Sequence, residues 1–256
     1  MESIIFLFTA SLLAGIVNGV AGGGGLIAFP ALLISGIPSI NANATNATAL
    51  WFGTVASTVA YRREFLSQRH LLLLLSSVSI LGGIFGSYLL LHTSPAKFSA
   101  LVPYLMLIAT LLFIFSQPLM KFLNKRNQNS ESIRLPLTVI LPWQLAIATY
   151  GGYFGGGSGI LMLALLNFTG LQNIHRINAY KSWLASCINA AAITHFAFAD
   201  KIIWFEACIM AAGAIIGAYS SAYLARKLHP LWIRSFIIGV SLSMTCYFFI
   251  QQTNKI

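Results

Sequence analysis

Apolar runs of about 20 residues follow one another along almost the whole chain, and two of these runs are broken at matching places by clusters of glycine. A run of that length is what an α-helix needs to cross the roughly 30 Å hydrocarbon core of a bilayer. The first cluster is Gly22-Gly23-Gly24-Gly25, ahead of Leu26. The second is Gly155-Gly156-Gly157-Ser158-Gly159, ahead of Ile160. Shifted forward by 134 positions, Gly22, Gly23 and Gly25 fall on Gly156, Gly157 and Gly159. Without a gap, Gly36 then falls on Gly170 and Thr48 on Ser182. A break in a lipid-embedded helix frees backbone groups that lipid cannot satisfy. Two such breaks in register point to a transport site at a repeat interface.

The rest of the chain agrees with a bilayer as solvent. Charged residues are 8% and hydrophobic residues 57%, where a soluble domain carries about 25% charged. Strands of the alternating outer-membrane type are absent from the pattern. The net charge of +10 sits in the short joints between apolar runs, which is the positive-inside arrangement rather than a nucleic-acid stripe. Cys187, Cys208 and Cys246 all lie inside apolar runs, so no disulfide framework is implied. Met1-Glu2-Ser3 leads straight into apolar sequence without a basic stretch, so the start reads as mature structure.

The expected segments are 4–35 (broken at the first glycines), 42–61, 71–91 and 98–116, then 135–169 (broken at the second glycines), 177–199, 202–225 and 231–250. The most polar stretch, 121–134, reads as an aqueous linker between a first membrane repeat, 1–120, and a second, 135–256. Gly82, Gly86 and Tyr88 match Gly213, Gly217 and Tyr219 at an offset of 131, and both pairs of glycines have the small-xxx-small spacing that lets helices approach closely in lipid.

Residues 4–35 as one helix would be about 48 Å long, far more than the bilayer core. Either that segment crosses once with an interruption, or it enters and returns as a hairpin with the glycines at its tip. Charge separates the two. With hairpins, Arg62, Arg63, Arg69, Lys121, Lys125, Arg126, Arg134, Arg176, Arg226, Lys227 and Arg234 share one side, against Lys97, Lys201 and Lys255. With full crossings the bias weakens, so the positive-inside rule favours hairpins. The expected fold is an all-α polytopic membrane protein of two homologous halves. Each half has a glycine-broken helix or re-entrant hairpin plus three transmembrane helices. An odd number of crossings per half makes the halves an inverted repeat, the architecture of alternating access. The alternative is eight crossings with parallel halves.

After each glycine break a helix restarts. Its first N–H groups lack internal partners and carry the positive end of the helix dipole, which suits an anion. Acidic residues are limited to Glu2, Glu64, Glu131, Asp200 and Glu206, none central in a segment, so a carboxylate cation site has little support. Beside the first break lie Asn41, Asn43, Thr45, Asn46 and Thr48; beside the second lie Asn178, Tyr180, Lys181, Ser182, Ser186 and Asn189. Polar groups at lipid depth are costly and face the interior. The expected substrate-binding set is Gly23, Gly24, Gly25, Asn46, Gly157, Ser158, Gly159 and Lys181. The competing reading of Lys181 is a side chain that snorkels to the interface; that of Thr45 and Asn46 is helix capping. His195, near the end of its segment, is a candidate proton relay. No metal or cofactor is expected.

These residues resemble the TauE/SafE family of sulfite exporters and related anion permeases over almost the whole chain. The resemblance is carried by Asn18-Gly19-Val20-Ala21-Gly22-Gly23-Gly24-Gly25 with Pro30, Ala44-Thr45-Asn46 and Tyr61-Arg62-Arg63. In the second half it is carried by Gly155-Gly156-Gly157-Ser158-Gly159, Asn178-Ala179-Tyr180-Lys181 and Asp200-Lys201-Ile202-Ile203-Trp204. It implies a membrane transporter of sulfite, a sulfonate or a related sulfur-containing anion. The expected partners are a small anionic substrate and the lipid bilayer, with no nucleic acid and a homo-oligomer left open. The expected location is a bacterial inner or plasma membrane.

A rival from another class rests on Gly156-Gly157-Ser158-Gly159, which spells the G-x-S-G of rhomboid intramembrane proteases, with His195 as the base. Against it, the matching first loop has Gly24 where the second has Ser158, so the loop has a use that needs no hydroxyl. An anion channel is the remaining alternative. The expectation is a permease or exporter, not an enzyme.

Overall fold

The computed structural model describes residues 2–20, 23–60, 69–128, 134–171, 174–227 and 230–253. Among them the chain is helical, in ten α-helices: α1 (Glu2–Val20), α2 (Gly25–Ile34), α3 (Ser39–Ala60), α4 (Arg69–Leu91), α5 (Pro95–Gln128), α6 (Leu137–Tyr153), α7 (Ser158–Leu166), α8 (Ile174–Phe198), α9 (Trp204–Lys227) and α10 (Pro230–Thr253). Both glycine clusters fall between helices, α1/α2 and α6/α7, and the order of elements repeats after α5. Gly22 and the joint 61–68 lie outside the described residues. Helix α5 runs to Gln128, well past the expected end at 116, so the start of the polar stretch at 121–134 continues a helix.

Each glycine break reverses the chain. The Leu135 N–H, ahead of α6, donates to the Phe168 carbonyl beyond α7 at 3.0 Å. The feet of α6 and α7 therefore meet although the glycine tip lies between them in sequence. In the first half, Gly24 packs on the Ala14 carbonyl. A helix continuing straight from Ala14 would carry Gly24 about 15 Å away. Positive φ makes the turns: 118° at Gly23, 82° at Gly155 and 78° at Gly157, a region in which a side chain is strained.

The halves interlock. Helix α1 packs most extensively on α9, and α6 on α4. Gly82 of α4 lies against Ala148, and Gly86 against the backbone from Thr149 to Tyr153. In the equivalent place, Gly213 of α9 lies against Phe8 to Leu12, and Gly217 against Leu12 to Ile16. The duplicated small-xxx-small pairs thus receive the hairpin helix of the opposite half, backbone on backbone.

Contacts also fix helix direction. Along both glycine pairs residue numbers rise together, so α4 runs with α6 and α9 with α1. Trp183 Nε1 donates to Ser76 Oγ at 2.7 Å and His195 Nδ1 lies 3.1 Å from Ser87 Oγ, so α8 also runs with α4. Ser39 Oγ is 2.8 Å from Ser99 Oγ, which puts the starts of α3 and α5 together and sets α3 against α4 and α8. The Ile203 N–H donates to Thr45 Oγ1 at 3.1 Å, and Gly53 faces Ala218 further along, so α9 runs with α3.

Among the described residues, Arg69–Leu91, Pro95–Ser116 and Ser235–Gln252 are long and apolar enough to cross a membrane by composition alone. Helices α3 and α8, with 22 and 25 residues, have the length but carry the polar residues of the interior. Large apolar side chains are exposed along α4 (Leu73, Leu81, Phe85) and α9 (Phe205, Ile216, Tyr219). A soluble protein would bury such belts, whereas lipid solvates them.

Candidate substrate site

The two hairpin tips and the middles of α3 and α8 enclose one cavity of about 160 Å³. From the first half it is lined by Asn18, Gly23, Gly25, Leu26, Phe29, Asn43, Asn46, Ala47, Leu50 and Thr54. From the second it is lined by residues 151–152 and 154–160, Leu163, Lys181, Ser182, Ala185, Asn189, Ala192 and Phe196. Met106 of α5 completes the wall. Six residues expected from sequence in the binding set thus converge with Gly23: Gly25, Asn46, Gly157, Ser158, Gly159 and Lys181.

Two expected residues do not reach it. Gly24 is buried against α1, where its missing side chain leaves room for the Ala14 carbonyl. His195 lies near the end of α8, bonded to Ser87 and stacked on Tyr88 with ring centroids 6.3 Å apart. It does not line the cavity.

Glycine at the helix starts makes room for the side chains of Lys181 and Asn46. A Cβ on Gly159 would stand 3.7 Å from Lys181 Cδ, and one on Gly25 would stand 3.6 Å from Asn46 Nδ2. Lys181 therefore lays its aliphatic stem along the start of α7 and lines the cavity. Glu2, Asp200 and Glu206 are the carboxylates among the described residues, and none of them lines the cavity. Asn46 is 7% exposed, and its Oδ1 is buried without a hydrogen-bond partner among the described residues.

The other polar residues at the start of α3 are committed to holding the fold. Asn41 Nδ2 donates to the Lys201 carbonyl at 3.1 Å. Asn43 Nδ2 donates to the Tyr153 carbonyl at 3.1 Å. Thr48 Oγ1 donates to the Ala44 carbonyl at 2.8 Å, a bond within its own helix. At the second tip, Tyr150 Oη donates to the Gly156 carbonyl at 2.6 Å and Ser158 Oγ to the Gly155 carbonyl at 2.9 Å. Ser158 thus spends its proton inside its own turn, and the candidate base His195 is bonded to Ser87 instead, which argues against the protease arrangement.

The chain thus folds two interlocked glycine hairpins around one cavity that no described carboxylate lines. Residues 7–248 match the family model described as Sulfite exporter TauE/SafE. The chain belongs to that family. TauE/SafE proteins are membrane transporters, so the chain is a transporter and not an enzyme. It is 29% identical over 247 residues to a probable membrane transporter protein, ORF9, of Sinorhizobium sp., covering 94% of this chain and 91% of that one. It is 28% identical to a probable membrane transporter protein of Haemophilus influenzae, covering 96% and 94% of the two chains. It is 27% identical to the probable membrane transporter protein YfcA of Escherichia coli K12, covering 93% and 87%. No solved structure matches.

Sequence reasoning missed Asn18 and the apolar lining. Asn18 Oδ1 accepts the N–H of Gly23 at 3.3 Å and of Gly24 at 3.4 Å, so it closes the first turn on itself. Its place in the family-like stretch Asn18 to Gly25 was visible, but a contact five residues ahead across a reversal was not. Phe29 and Phe154 meet edge to face at 5.3 Å in the cavity wall. One belongs to each hairpin, and nothing in the repeat pairs them.

Proposed function

We propose that this transporter moves a small anion, sulfite, a sulfonate or another sulfur-containing oxyanion, through the cavity between the hairpin tips by alternating access. One observation carries the reading. Lys181, Ser158, Asn46 and the glycine helix starts share a cavity that no described carboxylate enters. A fixed cation, an amide and unpaired N–H groups in a low-dielectric site complement an oxyanion. A metal cation would meet repulsion there.

Alternating access is supported by the helix directions. Helices α1, α3 and α9 run one way and α4, α6 and α8 the other, so each first-half helix opposes its second-half counterpart. That is the relation expected of an inverted repeat, with the site on its axis. The described end holding Arg69, Arg134 and Arg176 would then face the cytoplasm of a bacterial cell membrane, and the end holding Lys97 and Lys201 would face out. The membrane repeats are 1–120 and 135–256, and any homo-oligomer would assemble around this unit.

The test is uptake of radiolabelled sulfite and a sulfonate into proteoliposomes, with Lys181→Ala as control. Saturable flux that falls at least about tenfold in the variant, the equivalent of losing about 1.4 kcal/mol, is expected. Flux unchanged by Lys181→Ala would sink the site assignment, and non-saturating single-channel currents would replace the carrier with a channel.

A further inference from the structure

The repeat suggests two equal anion seats, one at each tip, and the hydrogen bonds make them unequal. At the first tip two donors are already used, since Asn18 Oδ1 accepts from both Gly23 and Gly24; the Gly25 N–H, like its counterpart at Gly159, donates to nothing among the described residues. An amide oxygen inside the chain occupies the place an anion would take. The position equivalent to Asn18, 134 residues on, is Gly152, which has no side chain to fold back. Nor could it have one, because a Cβ there would stand 2.5 Å from the Gly83 carbonyl of α4.

At the second tip the donors are open. The N–H groups of Gly156, Gly157 and Gly159 donate to no carbonyl or side chain among the described residues. All three residues line the cavity. Lys181 lies along Gly159, while the equivalent position in the first half is Ala47. The cavity thus has one charged pole. A second, independent feature of the lining is the buried amide of Asn46, whose Oδ1, an acceptor, has no partner among the described residues. The first-half wall carries no charge among the described residues and includes the apolar side chains of Leu26, Phe29 and Leu50.

We infer that the anionic head of the substrate binds at the second tip alone, on the α7 helix start beside Lys181, and that Asn18 acts as a built-in occupant of the first tip. The uncharged part of the substrate then lies toward the first-half wall, where Asn46 Oδ1 can accept from a donor. A single cation at the site selects a single negative charge, since a second charge would be buried without compensation. The inference rests on the anion reading above and narrows it to one loop.

A matched pair of added methyl groups tests it. A Cβ at Gly25 or at Gly159 meets only ordinary contacts, the nearest at 3.6 and 3.7 Å, so neither change should unfold the protein. Binding of methanesulfonate to the purified full chain is measured by titration calorimetry, with thermal melts to verify folding. Gly159→Ala is expected to weaken binding about tenfold more than Gly25→Ala. Lys181→Met, which keeps the stem and removes the charge, should weaken it at least as much as Gly159→Ala. Equal losses from Gly25→Ala and Gly159→Ala, two methanesulfonate equivalents in the wild type, or no loss in Lys181→Met would each overturn the inequality of the tips. A wild type that binds neither methanesulfonate nor sulfite would overturn the anion reading itself.

Discussion

Gly86 and Gly217 sit at equivalent places in the two halves, and neither has room for a methyl group. A Cβ on Gly86 would collide with the Thr149 carbonyl, and one on Gly217 with the Leu12 carbonyl. Both obstacles are backbone, which cannot rotate aside. Overpacking of this kind costs roughly 1–3 kcal/mol, so Gly86→Ala and Gly217→Ala should each melt well below the wild type in detergent. Gly239 of α10 is the contrast, with nothing within 4 Å of an added Cβ. There, alanine should gain stability, by up to about 1 kcal/mol of helix propensity. Equal melting temperatures for the three variants would show that the glycines do not set the helix contacts. Sequence spacing identified the pairs as packing sites, but it did not say which helix they pack against. The partners come from the other half, and a period read along one helix holds no information about its neighbour. Gly24 and Gly25 make the same point. They are identical neighbours in sequence, yet one is sealed against Ala14 and the other opens on the cavity.

Among elements, the hairpin tips were legible and the interior helices only partly so. Glycine clusters inside apolar runs too long for the bilayer give reversals a reason to exist, and the charge distribution favoured them. Helices α3 and α8 blurred in hydropathy because they hold the polar groups of the candidate site at lipid depth. Lys181 was ambiguous for a related reason. Its distance from the start of α8 suggested a snorkelling residue, and only the bare α7 start, with Gly159 against its stem, turns it inward. The tips also separate strain from function. Gly36 and Gly157 both have positive φ, 83° and 78°, so alanine at either costs about 1–2 kcal/mol. Only at Gly157 would the new Cβ also press on Leu112, at 3.1 Å, and stand in the cavity wall. Per folded protein, Gly36→Ala should keep its sulfite flux while Gly157→Ala loses at least about tenfold. Similar losses in both would mean that backbone strain, not the geometry of the tip, governs transport.

For the whole molecule, the interlocking of α1 with α9 and of α6 with α4 ties each hairpin to the opposite half. A movement of one half against the other must therefore reshape both tips, which is what a shared site between repeats requires. The same arrangement makes a statement about sidedness. Hairpins return the chain to the face it left, so Arg134 before α6 and Arg176 at the start of α8 lie on one side, with Ser94 between α4 and α5 on the other. If residues 135–169 crossed fully, Arg176 would join Ser94. All three side chains are exposed, so single cysteines at these positions can be read with a membrane-impermeant maleimide. The background protein needs Cys187, Cys208 and Cys246 replaced. In spheroplasts, Ser94→Cys should label at once, whereas Arg134→Cys and Arg176→Cys should label only after permeabilisation. Arg176→Cys is the deciding position. Labelling it from outside, with Arg134→Cys still protected, would mean that the second glycine segment crosses the bilayer. The proposed inverted repeat would then fail, and with it the proposed place of the cavity on its axis.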